Sequence, residues 1–362
     1  MSSGSWKTNS AIEGIDLFSG AGGLSVGAKL AGIHVTHAVE INSAAAAAYR
    51  ANHPRTVLIQ TDVRNLKKLS LKQRRNVILF GGPPCQGFST ANQRTRNTRN
   101  PANWLFREFF RLARALNPDW VVLENVTGMT QTAGGKFVSY IRREFERLRY
   151  DFALWNLNAA DFGVPQRRSR LFFVAVRRGR IPAAPRPTSD KPVTVRDAIA
   201  DLPLLQSGAS RDVLTYRIKP TSDYAVFLRN GERRCGGNLV TANNDLVLSR
   251  YRHIPPGGNW QDIPIRLMKN YTGLINNRSR HTGIYRRLIW DEPSVVIANY
   301  RKNMLVHPDQ HRGLSVREAA RLQSFPDTYS FAGSIGQQQQ QVSNAVPPLL
   351  AKAVFEHLIA NC

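Results

Sequence analysis

Cysteine is scarce in this chain: there are three in 362 residues, Cys85, Cys235 and Cys362. So few, odd in number and far apart, they offer no disulfide framework and no metal-ligand spacing. We therefore expect no metal site and a reducing, cytoplasmic setting, close to the nucleoid if the partner is DNA. Long apolar runs are also missing. Lys352 and Glu356 interrupt the C-terminal one, and the polar start from Met1 to Ala11 has no signal-peptide core. Without a basic amphipathic helix or a lipidation signal, no membrane partner is expected. Acidic residues are the third shortage, 25 Asp+Glu against 50 Lys+Arg, for a net charge of +25. Residues 61–180 alone carry 23 basic and 8 acidic side chains. Acidic residues would solubilise a surface equally well, so this excess points to a polyanionic partner, with nucleic acid ranked first.

What remains is a chain that is 42% hydrophobic, long enough for two domains, and periodic in its first half. Strands are expected at Ile12 to Phe18, Val35 to Val39, Val57 to Gln60, Val77 to Phe80 and Trp120 to Leu123, and a closing pair at Leu154 to Leu157 and Leu171 to Val176. Helices are expected at Gly23 to Ala31, Ala44 to Tyr49, Trp104 to Leu116 and Lys136 to Arg149. This alternation predicts an α/β fold with a doubly wound, Rossmann-like sheet. The texture changes near Arg177, and Pro182, Pro185, Pro187 and Pro192 mark a boundary. Beyond it we expect a smaller, irregular, mainly β domain. The boundaries are placed at 1–180 with 330–362 for the large domain and 181–329 for the small one with its hinge. Helical pattern returns at Ser315 to Leu322 and Pro348 to Ile359. The five glutamines from Gln337 to Gln341 read as a solvated loop.

Five constellations carry candidate chemistry. In Asp16-Leu17-Phe18-Ser19-Gly20-Ala21-Gly22-Gly23-Leu24-Ser25 a strand enters a glycine-rich turn and a helix leaves it, which suits a nucleotide-like ligand. Ser25 stands where a third glycine is usual, and a plain tight turn is nearly as good a reading. Glu40, twenty residues after Gly20, is placed for ribose hydroxyls. Asp62 fits an adenine edge or, equally, a helix cap. In Gly81-Gly82-Pro83-Pro84-Cys85-Gln86-Gly87-Phe88-Ser89 a stiff frame delivers one thiol at a strand end. A buried, inert cysteine is the commoner case, but the frame favours a nucleophile. Glu124-Asn125 follows the next strand, where a carboxyl would assist such a nucleophile or merely cap a turn. Gln166-Arg167-Arg168-Ser169-Arg170 puts Arg168 and Arg170 on one face of a strand, to steady a phosphate or a polarised base, or to lie solvated. Ser343-Asn344-Ala345-Val346-Pro347-Pro348 opens the last helix, and spacing does not establish that it returns to a nucleotide site.

Taken in order, DLFSGAGGLS, GGPPCQGFS, ENV, QRRSR, RGLSVREAARLQSFPD (312–327) and SNAVPP resemble the cytosine-C5 DNA methyltransferases of the bacterial restriction-modification type. The resemblance spans residues 12–176 and about 312–362 and leaves 177–311 as the variable target-recognition region. It implies S-adenosyl-L-methionine as cofactor, becoming S-adenosyl-L-homocysteine. Phe18, Gly20, Ala21, Gly22, Gly23 and Leu24 match the cofactor loop, Glu40 the ribose ligand, and Asp62 and Val63 the adenine contacts. Pro84, Leu105, Asn344 and Ala345 match further cofactor positions, although Ser343 replaces a common glycine. Cys85 matches the nucleophile, Glu124 the acid that engages the base, and Arg168 and Arg170 the arginine pair behind it. The implied substrate is a cytosine flipped from double-stranded DNA. Gln86, Ser89, Arg94, Arg96 and Arg99 are the expected DNA-contacting set after the nucleophile. Arg233 and Arg234 are the first candidates in the variable region, beside Asn243, Asn244, Asn276, Asn277 and Arg278. A monomer is expected, with room for a cognate restriction or defence partner. An RNA methyltransferase of the same fold and a catalytically silent DNA-binding relative stay open, as does a generic basic scaffold.

Overall fold

The computed structural model describes residues 12–69, 71, 76–84, 101–188, 191–269, 271, 283–298, 300 and 305–361, with backbone alone at 101 and 102. The chain divides into two compact units, Met1–Asn158 with Ser169–Arg186 and Leu350–Cys362, and Ala159–Arg168 with Pro187–Leu349.

The first unit is built on a seven-stranded sheet. Its elements are β1 (Glu13–Leu17), α1 (Gly23–Leu30), β2 (His34–Glu40), α2 (Ser43–Asn52), β3 (Val57–Gln60), β4 (Val77–Gly81), α3 (Phe106–Leu116), β5 (Trp120–Asn125), α4 (Lys136–Arg147), β6 (Asp151–Asn158) and β7 (Ser169–Val176). The order is β3-β2-β1-β4-β5-β7-β6. β1 to β5 pair in parallel, and β7 runs antiparallel to both β5 and β6. Successive side chains of a strand alternate between faces, so Ile15, Leu17, Val77, Leu79, Val121 and Leu123 share one. That face buries Phe106, Phe109 and Phe110 of α3 with Phe137, Ile141 and Phe145 of α4. Helix α3 stops where Asn117 turns left-handed (φ 48°) ahead of Pro118.

β1 lies between β2 and β4, and the order reverses there. In an open parallel sheet this switch point opens a crevice beyond the carboxyl ends of the strands. Gly81 makes the close approach possible: a Cβ there would stand 2.1 Å from the Leu17 carbonyl oxygen, so no other residue fits without moving a strand.

In the second unit α5 (Val195–Ile199), β8 (Leu214–Thr215), α6 (Asp223–Arg229), β9 (Arg234–Cys235), α7 (Asp245–Arg252), β10 (Arg286–Arg287), β11 (Leu305–Val306), α8 (Val316–Leu322) and α9 (Ile335–Asn344) lead to α10 (Pro348–Ala360), most of which belongs to the first unit. The expectation of a mainly β small domain is corrected. Among the described residues its strands are two residues long, and short capped helices hold the regular structure. The glutamine run is also corrected: it lies inside α9, where a Ser334–Gln337 capping box starts the helix and Gln339 and Gln341 are buried. A buried charge network organises this unit. Arg321 donates to both Asp327 oxygens (2.9 and 2.6 Å) and to Asp201 (2.6 Å), Tyr216 donates to Asp327 (2.6 Å), and Arg312 grips Glu318 (2.6 and 2.8 Å). These pairs account for most of the charged positions in the 312–327 block.

Two stretches expected in the large domain, 159–168 and 330–349, fall in the second unit. Hydrogen bonds from Gln166 to the Leu322 carbonyl (3.1 Å) and from Arg168 to the Ile297 carbonyl (2.9 Å) bind the first of them to that unit.

Candidate active site

The turn after β1 is held by backbone geometry and one carboxylate. Phe18, Gly20 and Gly22 all have left-handed φ (59°, 56° and 98°), which folds the chain into the start of α1. The N-cap of α1 is Gly22, with no side-chain cap, so its first-turn N–H groups face a ligand position at the positive end of the helix. Glu40, at the end of β2, accepts from the Gly20 N–H (2.8 Å) and the Asn42 N–H (2.6 Å). A carboxylate has about four lone-pair sites, so acceptor capacity remains after those two bonds. Open space around a Cβ built on Gly20, uncapped helix N–H groups and a carboxylate one strand away fit an adenosine-type cofactor.

Asp62 takes the capping role. It accepts from the Arg64 N–H (2.9 Å) and pairs with the Arg64 guanidinium, which holds its carboxyl below the usual range. Val63 beside it is buried, and Leu105 is the N-cap of α3.

Beyond β4, Gly82 passes against Glu124: a Cβ on Gly82 would meet Glu124 Oε2 at 2.8 Å. Asn125 Nδ2 donates to the Pro83 carbonyl (3.3 Å), which fixes the strand exit one residue before Pro84. Glu124 lies within β5 rather than after it, because β7 extends the pairing through Glu124↔Phe172 and Asn125↔Leu171. It is buried, and Arg170 Nε meets its Oε1 at 2.9 Å. Arg170 and Glu124 are thus one unit, with Oε2 on the side of the segment that leads to Cys85. Cys85, Gln86, Ser89, Arg94, Arg96 and Arg99 lie outside the described residues, as do Asn276, Asn277 and Arg278.

The profile of the C-5 cytosine-specific DNA methylase family matches residues 12–360. The chain belongs to that family. It is 37% identical over 350 residues to the type II methyltransferase M1.HphI of Haemophilus parahaemolyticus, covering 95% of this chain and 86% of that one. It is 32% identical over 366 residues to the type II methyltransferase M.DdeI of Desulfomicrobium norvegicum, covering 95% and 88%. Among solved structures, a prophage DNA modification methyltransferase from E. coli superposes with a TM-score of 0.76 at 27% identity, over 97% of this chain and 99% of that one.

In this methylase the two arginines of the QRRSR block part company. Arg170 belongs to the Glu124 pair, whereas Arg168 is buried in the second unit and donates to the Ile297, Ser343 and Ala345 carbonyls (2.9, 2.9 and 3.1 Å). Asn344 and Ala345 fall in that unit as well. Arg233 and Arg234 are exposed there. Asn244 caps α7 through the Val247 N–H (3.0 Å), and Asn243 donates to the Thr241 carbonyl. Trp290 and Glu292 accept from the Arg196 and Val195 N–H groups, so their segment is structural within the second unit. Cys235 is buried, and burial pushes its thiol up. Among the described residues no cluster could hold a metal ion, and no described helix is long and apolar enough to cross a membrane.

Sequence reasoning passed over Asp16. It is fully buried in β1, accepts from Ser25 Oγ (2.6 Å), and Ser25 in turn meets Tyr49 Oη (2.7 Å). Ser25, the departure from the third glycine, therefore ties α1 to β1 and α2. Burial, with Glu40 adding to it, pushes the Asp16 carboxyl up to about 8. The folded methylase then keeps a proton that the unfolded chain loses near pH 4, so this group's contribution to stability falls as pH rises between about 4 and 8. Asp16→Asn is expected to be more stable than the parent at pH 8, by roughly a few kcal/mol at most, with the gap closing toward pH 4. Melting curves across that range check it, and parallel pH profiles for the two proteins would rule it out.

Proposed function

We propose that this methylase transfers a methyl group from S-adenosyl-L-methionine to C5 of a cytosine in double-stranded DNA. The observation that carries the reading is the buried Glu124–Arg170 pair set against Gly82, three residues before the single cysteine of that block. When bound, the cofactor supplies an electrophilic methyl group. Phe18, Gly20, Ala21, Gly22, Gly23, Leu24, Glu40 and Val63 would hold it, with Asp62, Pro84 and Leu105 as further contacts. Glu40 would accept from ribose hydroxyls while it braces Gly20.

Cytosine C5 is too poor a nucleophile to take a methyl group unaided. The Cys85 thiolate adds to C6, and the C5=C6 electron pair becomes available at C5. Glu124 hydrogen-bonds or protonates N3, which stabilises the charge that builds on the ring during addition. Arg170 keeps the Glu124 carboxyl in place. After transfer, loss of the C5 proton to a base returns the electrons to the ring and expels the Cys85 thiolate. C6 and C5 are shielded in a stacked duplex, so the base must leave the helix first. Arg94, Arg96 and Arg99 would grip the sugar-phosphate backbone without reading sequence. The 181–329 region, with Arg233 and Arg234 exposed, is our candidate for reading the site. The type II names of the relatives favour a host-DNA protection setting.

Mapping 5-methylcytosine in DNA from cells that express the protein, with purified duplex DNA and transfer RNA as parallel substrates, tests the reading. Methylated cytosine at a short recurring site in DNA is expected. Methylation of transfer RNA alone would replace DNA by RNA as the substrate.

A further inference from the structure

Two basic stripes face each other across the seam between α3 and α4. On α3, Arg107, Arg111 and Arg114 stand at i, i+4 and i+7, so they share one helix face. On α4, Lys136, Arg143 and Arg147 do the same at i, i+7 and i+11. Contacts between the helices show that the two faces meet. The Arg107 guanidinium lies 4.0 Å from the centre of the Trp104 ring and 5.1 Å from that of Tyr140 on α4, and Arg114 reaches Glu144 of α4 at 3.6 Å. All of these basic side chains are exposed. Glu144, buried at the seam, pairs with Arg114 and Arg147, and Glu108 pairs with Arg111 (2.7 Å). Among the described residues no carboxylate pairs with Arg107, Lys136 or Arg143. A helix macrodipole favours cations in the last turn, which accounts for Arg114 and Arg147. It disfavours them in the first turn, where Arg107 and Lys136 stand. Like charges at i and i+4, as in Arg107 with Arg111 and Arg143 with Arg147, also repel. Helix electrostatics therefore leaves this gathering of cations unexplained, and an anionic occupant would offset it.

We propose that the α3–α4 seam binds the phosphate backbone of duplex DNA outside the target cytosine's site. This rests on the reading of DNA as the substrate. Both helices start on the side of the strands' carboxyl ends, where Glu124 lies, and run to the opposite edge of the sheet. α3 leads to Trp120 at the start of β5, and α4 leads to Asp151, which is level with Trp120 because both pair with Val176 of β7. The seam thus begins at the rim with Arg107 and Lys136 and leads away from Glu124. At about 1.5 Å per residue its walls run roughly 10–16 Å, enough to face roughly three to five phosphates of one strand. Evenly repeated cations on two parallel walls match the evenly spaced charge of a phosphate backbone better than the irregular acidic patch of a protein. Such contacts hold DNA without reading its sequence, which suits a duplex being searched for a site.

The test is a salt titration of the full-length protein on a long duplex of arbitrary sequence, with turnover measured on genomic DNA. The triple variant Lys136→Gln, Arg143→Gln, Arg147→Gln strips one wall and touches no proposed site residue. Each lost phosphate contact should flatten the log–log salt dependence of binding by about 0.9, so the triple by about 2.7. From about 50 to 200 mM salt the variant should then lose roughly fortyfold less affinity than the parent does. Binding of S-adenosylhomocysteine and kcat at saturating DNA should stay at the parent's level, while KM for DNA rises. A control triple, Lys29→Gln, Arg50→Gln, Arg55→Gln, removes the same charge from exposed positions outside the α3–α4 core and should leave the slope unchanged. Equal flattening by both triples would mean that net charge alone is felt, and the proposal is overturned. An unchanged slope in the seam triple, with a parent that methylates DNA, overturns it while the substrate reading stands. A seam triple that loses transfer RNA binding and keeps DNA binding overturns it too, and gives the seam to RNA. A parent that methylates transfer RNA and no DNA removes the substrate reading and this proposal together. Should the seam triple fail to fold, the pair Arg107→Gln, Arg114→Gln on the other wall should flatten the slope by about 1.8, and no change there decides against the seam.

Discussion

Replacing Cys85 by Ala should abolish methyl transfer, with a loss of at least ~10⁴-fold, while binding of cofactor and DNA stays within a few-fold of the parent. Alanine removes the only group proposed to add to C6, and without that addition C5 keeps its aromatic electrons and cannot attack. Serine should not rescue: a hydroxyl is far less ionised than a thiol at neutral pH, and nothing proposed at the site would take its proton. The frame Gly82-Pro83-Pro84 exists in both proteins, so the loss reads the thiol and not the loop. Radiolabelled methyl incorporation measures it, with a gel shift for DNA and calorimetry for cofactor on the same preparation. DNA carrying 5-fluorocytosine gives a second readout, because fluorine at C5 blocks the final proton loss. The parent should be trapped as a covalent complex and Cys85→Ala should not. Turnover near that of the parent would remove the covalent mechanism altogether.

The sheet of the first unit was legible almost residue by residue because its signals are local. Apolar runs of four to eight residues broken by Gly, Asn and Pro mark parallel strands, and the stripe from Phe106 to Leu116 marks a helix with one buried face. The sequence places Glu124 directly after the strand because nothing in Trp120–Leu123 announces the antiparallel partner. That partner, β7, lies over forty residues away and carries the strand through Asn125. Arg168 and Arg170 alternate as strand residues do, yet they serve different units, because the chain enters β7 only at Ser169. A period of two fixes a face only where a strand exists. The glutamine tract misled by composition: glutamine is a good helix former, and its burial depends on partners such as Thr241, about a hundred residues upstream. Asp62 carries a cap signal in the sequence, a short polar side chain before a helical turn, and capping is what the structure has it do; Asn244, expected as a base-contact candidate, is found capping α7. Asp16 had no signal, since a carboxyl inside an apolar strand becomes informative only when Ser25 and Tyr49 are found beside it.

Glu124→Gln is the second large effect. The substitution keeps size and shape, and the amide oxygen can still accept from Arg170 Nε, so cofactor and DNA binding should hold within a few-fold. What it removes is the proton, or the charge-matched hydrogen bond, at N3. The ring must then accumulate electron density during thiolate addition without an acid, and kcat should fall by roughly 10²–10⁴, the usual scale for general acid–base assistance. Arg170 enters through the same carboxyl. At 2.9 Å and with both side chains mostly buried, the pair is shielded from water, so removing Arg170 should cost kcat by releasing or misaiming Glu124. The two effects should therefore not add. Arg170→Ala in the Glu124→Gln background is expected to lower kcat by much less than it does in the parent, a coupling that a double-mutant cycle measures directly. Independent, additive losses would mean that Arg170 meets the base or a phosphate on its own. The strand extension that places Glu124 inside β5 would then serve only to bury a carboxylate, and Arg170 would need a separate role in the reaction.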